Sequence, residues 1–130
     1  MTPRFLSVEA VCRIQKDSIE VYGGAHGLRD EGLLRSALDR AENRYYYDPN
    51  ASLAVLAAAL SWGLIKNHVF IDGNKRVGLG ALVAFLALNG HTLNCPESEV
   101  LAMTLRAAAS EITEEEWTAW LERVVRPSAE

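Results

Sequence analysis

Positions 68 to 76 read His68-Val69-Phe70-Ile71-Asp72-Gly73-Asn74-Lys75-Arg76. Nine residues thus hold a possible base, a carboxylate, a glycine, an amide and two adjacent cations. The run that follows, Val77 to Leu88, has no charged or amide side chain, and Lys75 and Arg76 are the only Lys or Arg between Asn67 and Leu105. A basic pair at the mouth of so apolar a segment marks an anion site at the start of a buried helix. Free backbone N–H groups and the positive dipole end at such a start favour phosphate. Gly73 lets the backbone approach an oxyanion closely. Lys75 adds a point charge, and Arg76 can grip phosphate with two parallel hydrogen bonds.

Asp72 is the only carboxylate between Asp48 and Glu97. Beside phosphates a lone carboxylate serves best as a magnesium ligand, because Mg²⁺ commonly takes one or two carboxylates and completes its shell with substrate oxygens and water. His68, four residues earlier, is placed to accept a proton from an attacking hydroxyl, histidine being the side chain that ordinarily exchanges protons near neutral pH. Phe70 and Ile71 are read as anchors of the loop in the core. Each residue also has a plainer reading: His68 as a hydrogen-bonded structural histidine, Asp72 as a helix N-cap, Lys75 and Arg76 as solvated charge. All of these would have to hold together within one short stretch, so the residues favour a phosphate or nucleotide site. They do not name the reaction.

The elements that must position this stretch are helical. Ser7 caps a first helix to about Tyr22, with Val8, Val11, Ile14 and Ile19 near one face, and Gly23-Gly24 stops it. Asp30 caps a second helix, expected to end near Ala41, with Leu33, Leu34, Ala37 and Leu38 at helical spacing. Tyr45-Tyr46-Tyr47-Asp48-Pro49-Asn50 reads as an aromatic loop, its tyrosines covering a core edge or stacking on a base. Ser52 to Asn67 is a helix apolar almost all round, and a second such helix runs from about Asn74 to Leu88, closed by Asn89-Gly90. Two helices so apolar are expected at the centre of a bundle, with the 68–76 stretch in the turn between them. Pro96 or Ser98 opens a helix to about Ala109, and the capping box at Thr113–Glu116 launches a last one carrying Trp117, Trp120, Leu121, Val124 and Val125. Strand signals are almost absent. The expectation is an all-α single domain over 1–130, with about six helices.

Composition sets the outer bounds. Of 130 residues, 49% are hydrophobic and 23% charged, which excludes disordered and fibrous classes. The net charge of −4 argues against a general attraction to nucleic acid or anionic membrane, so any phosphate site must be local. Cys12 and Cys95, far apart and without metal-ligand neighbours, read as reduced thiols. The apolar runs are too short to span a bilayer, which needs about 20 residues, and Met1 to Leu6 has no secretory apolar run. A cytoplasmic protein is expected.

The 68–76 stretch resembles the signature of the Fic/Doc superfamily, on its death-on-curing (Doc) toxin branch. Tyr22-Gly23-Gly24-Ala25-His26-Gly27-Leu28-Arg29-Asp30-Glu31-Gly32-Leu33-Leu34 looks like the upstream segment of Doc-type proteins, and Phe85 to Gly90 like their helix end. The resemblance implies a helical Fic fold, ATP and Mg²⁺ as cofactors, and a toxin–antitoxin module. By position it implies His68 as general base, Asp72 as the magnesium ligand, Gly73 and Asn74 as the phosphate cradle, and Lys75 and Arg76 on nucleotide phosphates. It also implies a phosphate contact for Lys66, where Doc toxins tend to carry a basic residue. His68, Asp72 and Asn74 would be the catalytic set.

The departures bear on the reaction. AMP-transferring Fic enzymes read His-Pro-Phe, then acid-Gly-Asn-Gly-Arg, with a second arginine three residues on; here Val69, Lys75 and Leu79 stand at those positions. In the Doc branch the nucleotide is thought to bind reversed, with its terminal phosphate toward the target. The resemblance therefore implies a protein kinase, with a threonine of elongation factor Tu as target and translation arrest as outcome. AMP transfer on the same scaffold and a catalytically silent helical binding or regulatory protein are the alternatives. Self-inhibiting Fic enzymes carry Ser/Thr-x-x-x-Glu-Gly/Asn; Ser110 to Glu114 has the first spacing, but Glu115 follows. Restraint is then expected from a separate Phd-like antitoxin whose tail folds into a groove.

Overall fold

Serine and aspartate side chains set where the helices begin. In the computed structural model, which describes residues 2–129, the Ser7 hydroxyl accepts from the Ala10 N–H and opens α1 (Val8–Tyr22). The Asp30 carboxylate accepts from the Leu33 N–H at 3.0 Å and opens α2 (Glu31–Tyr47). Ser52 does the same for α3 (Leu53–Lys66). After the 68–73 turn come α4 (Asn74–Leu88), the short strand β1 (His91–Leu93), α5 (Glu97–Ala108), α6 (Glu114–Val124) and β2 (Val125–Pro127). Both halves of the capping box form: Thr113 Oγ1 accepts from the Glu116 N–H, and the Glu116 carboxylate accepts from the Thr113 N–H.

Two expectations are corrected. Helix α2 continues past Ala41, so Tyr45 to Tyr47 form its last turn and no aromatic loop exists. Pro49 restricts only the residue before it, and tyrosine is tolerated in a helix at small cost. Tyr45 packs beside Phe5, with ring centroids 6.2 Å apart, but Tyr46 and Tyr47 are exposed and cover no core. The β1–β2 pair, antiparallel in the register Thr92↔Arg126, was not foreseen. Three residues per strand leave no periodicity to read, and their partners lie more than thirty positions apart.

Helix α3 is the central element, packed on α4, α2 and α6. Leu56, Leu60 and Leu64 of α3, Val77, Leu82 and Phe85 of α4, and Trp117, Trp120 and Leu121 of α6 are buried together. Burial of each Leu or Phe contributes roughly 1.5–3 kcal/mol. Trp117 Nε1 donates to Ser61 Oγ at 3.0 Å, and Ser61 donates to the Ala57 carbonyl, so this buried polar pair is satisfied. Helix α4 is less central than expected, since Val83 and Leu88 remain exposed. Among the described residues no helix is long and apolar enough to cross a membrane. The α3–α4 turn therefore joins two helices that pack closely on each other in the core.

Candidate active site

The chain leaves α3 at Asn67 and enters the turn through His68, whose φ of 48° lies in the left-handed region that non-glycine residues seldom adopt. Val69 and Phe70 follow as buried anchors. Ile71 does not: it is 57% exposed, contrary to expectation. Phe70 bridges Leu28 with extended geometry, so the next side chain points to the opposite face. Backbone bonds complete the join, from Arg29 and Asp30 N–H to the Val69 carbonyl (2.9 and 3.1 Å) and from Ile71 N–H to the Gly27 carbonyl (3.1 Å).

Gly73, at φ 78°, is the N-cap of α4 and carries no side-chain cap. Val77 N–H reaches the Gly73 carbonyl at 2.9 Å, while among the described residues the N–H groups of Asn74, Lys75 and Arg76 have no protein acceptor. These are the orphan donors that bind anions at helix starts. The Asn74 amide is engaged elsewhere. Its Nδ2 donates to the Phe70 carbonyl (2.9 Å) and its Oδ1 accepts from the Phe70 N–H (2.8 Å), so the side chain staples the turn while its backbone N–H remains free.

The Asp72 carboxylate is held from two sides. Oδ1 accepts from the Gly73 N–H at 3.0 Å and Oδ2 from the Ala25 N–H at 3.3 Å. Asp72 is therefore oriented but is not the helix cap. Gly24 lies against it: a Cβ there would stand 2.7 Å from Oδ2, and its φ of 115° disfavours any side chain. Behind the carboxylate, Gln15 is 4% exposed and donates from Nε2 to both the Asp72 and the Ala25 carbonyls, each at 3.3 Å. Asp72 keeps lone-pair sites open toward solvent. Among the described residues no group of three or more His, Cys, Asp or Glu gathers to form an all-protein metal cage.

His68, Ile71, Asp72, Gly73, Asn74, Lys75 and Arg76 line one cleft of about 800 Å³. Lys75 is exposed, with no ion pair among the described residues. Arg76 sits with its guanidinium 5.2 Å from the Tyr22 ring centroid and donates to the Gly23 carbonyl at 3.3 Å, which spends part of its donor capacity at the end of α1. Lys66 is not brought to the cleft. Its ammonium donates to the Ala107 carbonyl (3.0 Å) and to Ser110 Oγ and lies 5.5 Å from the Trp62 ring centroid, capping the end of α5. Lys66, expected on a nucleotide phosphate, thus lies outside the cleft lining.

The opposite wall comes from the end of α5: Leu105, Arg106, Ala108, Ala109 and Glu111. Nothing near 68–76 in the sequence points to these residues, because tertiary packing alone brings them there. Gln15 and Arg29 were also missed. Gln15 left a trace, as a polar residue between Val11 and Ile19 on the apolar face of α1.

Comparison with known proteins agrees with this geometry. A family model described as Fic/DOC family matches residues 5–86. The protein kinase doc of Escherichia phage P1 is 30% identical over 111 residues, which cover 85% of this chain and 86% of the relative. Toxin Doc of Mycolicibacterium smegmatis is 41% identical over 70 residues, covering 53% of this chain and 54% of that protein. Among solved structures, the VirB-translocated effector BepC of Bartonella tribocorum, crystallised with AMPPNP, superposes with a TM-score of 0.50 at 17% identity. That match covers 74% of this chain and half of BepC, and at such identity it speaks for the fold alone. On the extent of the family match and of the phage relative, the chain belongs to the Fic/DOC family, within its death-on-curing branch.

Proposed function

We propose that the chain is the toxin of a toxin–antitoxin module and acts in the cytoplasm as a Mg-ATP-dependent protein kinase. Its target is a threonine of elongation factor Tu, and the outcome is arrest of translation. The observation that carries this reading is the convergence of His68, the oriented Asp72 carboxylate, three free N–H groups at the start of α4 and the unpaired Lys75 in one cleft. The phage relative, whose name is protein kinase doc, supports the kinase class, and toxin Doc supports the toxin role.

The residues present fit the nucleotide and its metal. One exposed carboxylate with spare lone pairs matches magnesium, which takes few protein ligands and keeps water and phosphate oxygens. Bound Mg-ATP would supply the phosphoryl group and a cation to offset its charge. This chain's residues do the remaining work. The N–H groups of Asn74, Lys75 and Arg76 and the Lys75 ammonium hold phosphate oxygens, and Asp72 holds the metal. His68 would take the proton of the target hydroxyl at an imidazole nitrogen as that oxygen bonds to the terminal phosphorus and ADP leaves with the broken P–O bond. Phosphate transfer is preferred to AMP transfer on the residue types Val69, Lys75 and Leu79. The Leu79 side chain faces a separate hollow beside Val83, Cys95 and Val100, so no second cation serves the cleft from that turn of α4.

A Phd-like antitoxin is the partner proposed to restrain the enzyme. Expression without the partner should arrest growth, and His68→Ala should relieve the arrest. Transfer to elongation factor Tu from ATP labelled on the γ-phosphate supports the kinase. Transfer of an α-phosphate label instead means AMP transfer, and transfer of neither, with arrest surviving His68→Ala, leaves a binding protein.

A further inference from the structure

We propose that Arg29, in the segment between α1 and α2, is the positioning residue that aims His68. The proposal rests on the reading of His68 as the general base. Arg29 Nε donates to the His68 carbonyl at 2.6 Å, a terminal nitrogen donates to the Asn67 carbonyl at 3.3 Å, and its backbone N–H donates to the Val69 carbonyl at 2.9 Å. One residue thus holds three consecutive carbonyls at the exit of α3. Carbonyls at a helix end lack internal partners, and the negative dipole end there favours a cation. No carboxylate competes, since Arg29 forms no salt bridge among the described residues.

The grip falls on the residue that needs it. His68 has a left-handed φ of 48°, a conformation that persists in a non-glycine residue only where its surroundings impose it. Fixing the peptides on both sides of His68 fixes the direction of its Cα–Cβ bond, and the side chain lines the cleft. General fastening of the segment does not require the Arg29 side chain. The backbone bonds from Arg29 and Asp30 to Val69 and from Ile71 to Gly27 remain when it is removed. The upstream Gly27-Leu28-Arg29-Asp30 run thereby acquires a role in the reaction as well as in the fold.

The test uses the full chain carrying Arg29→Met, Arg29→Lys, His68→Ala and the Arg29→Met/His68→Ala double variant. We expect Arg29→Met to lower kcat for phosphate transfer to elongation factor Tu by roughly 10- to 100-fold, the scale of an ångström-level misplacement, with the KM for ATP within about 2-fold. Arg29→Lys, able to serve one carbonyl, should recover part of the loss. The His68 imidazole NMR resonances should move in Arg29→Met, and the double variant should be no slower than His68→Ala. The proposal is overturned if the His68 resonances stay in place, if the two losses multiply, or if kcat falls only in proportion to the unfolded fraction. Unimpaired transfer by His68→Ala would instead overturn the general-base reading, and the resonances would still judge Arg29 separately.

Discussion

Asn74 separates a loop staple from a ligand contact, and Asn74→Ala decides which it is. The substitution removes two hydrogen bonds to Phe70, of 2.8 and 2.9 Å. A net hydrogen bond contributes about 1 kcal/mol, and more is lost when the abandoned partner is buried. Phe70 is 3% exposed, so its N–H and carbonyl are left with little access to water. The gross loss is then about 2–3 kcal/mol. Alanine at the first residue of α4 returns about 0.5 kcal/mol at most through propensity. The expected net cost is about 2 kcal/mol, a sizeable part of the roughly 5–15 kcal/mol typical of a domain. Urea unfolding followed by the fluorescence of Trp62, Trp117 and Trp120 reads it directly. The midpoint should fall by roughly 1 M with an unchanged slope. His68→Ala and Lys75→Ala, which remove exposed side chains, should stay within about 0.5 kcal/mol of the parent. A parental midpoint for Asn74→Ala together with lost ATP binding would refute the reasoning, because the amide would then serve the ligand and not the loop.

Other consequences follow from packing, capping and charge. Gly78→Ala puts a Cβ 2.4 Å from Ile65 Cγ1 at the α3–α4 contact; an overpacking cost of about 1–3 kcal/mol should outweigh a propensity gain of about 1 kcal/mol, giving a lower urea midpoint. Thr113→Ala removes the side-chain cap of α6 and should cost about 0.5–2 kcal/mol in the same assay. Burial raises the Cys12 thiol pKa, with Glu9 and Glu31 adding to it, and burial with Glu99 does the same for Cys95. Both thiols should alkylate with iodoacetamide at mildly alkaline pH more slowly than in the urea-unfolded chain. The folded state holds these protons more tightly, so their contribution to stability is complete below the ordinary thiol pKa. It is lost as pH rises through the raised values, which a urea series across that range would register.

Much of the helical frame was legible because it is encoded locally. Ser7, Asp30, Ser52 and Thr113 each supply a cap within three residues of the N–H they serve, and Asn89-Gly90 ends α4 with a left-handed glycine. One wall of the cleft was legible for the same reason: His68 and Asp72 to Arg76 lie within nine residues and line it together. What escaped reading is non-local. Arg106 and Glu111 reach the cleft only because α5 packs across it, and Lys66 turns to the Ala107 carbonyl and the Ser110 hydroxyl, which no nearby sequence announces. Ile71 was misjudged because its hydrophobicity says nothing of the Leu28–Phe70 bridge that turns it outward. The extra length of α2 was missed because three tyrosines beside a proline look like a loop, although only Asp48 is restricted by Pro49.

The intact mass of elongation factor Tu after incubation with this chain and Mg-ATP tests the central claim most directly. The account predicts a gain of one phosphate, abolished by His68→Ala in a variant that unfolds at the parental urea concentration. A gain of one AMP, or a phosphate that survives His68→Ala, would contradict it.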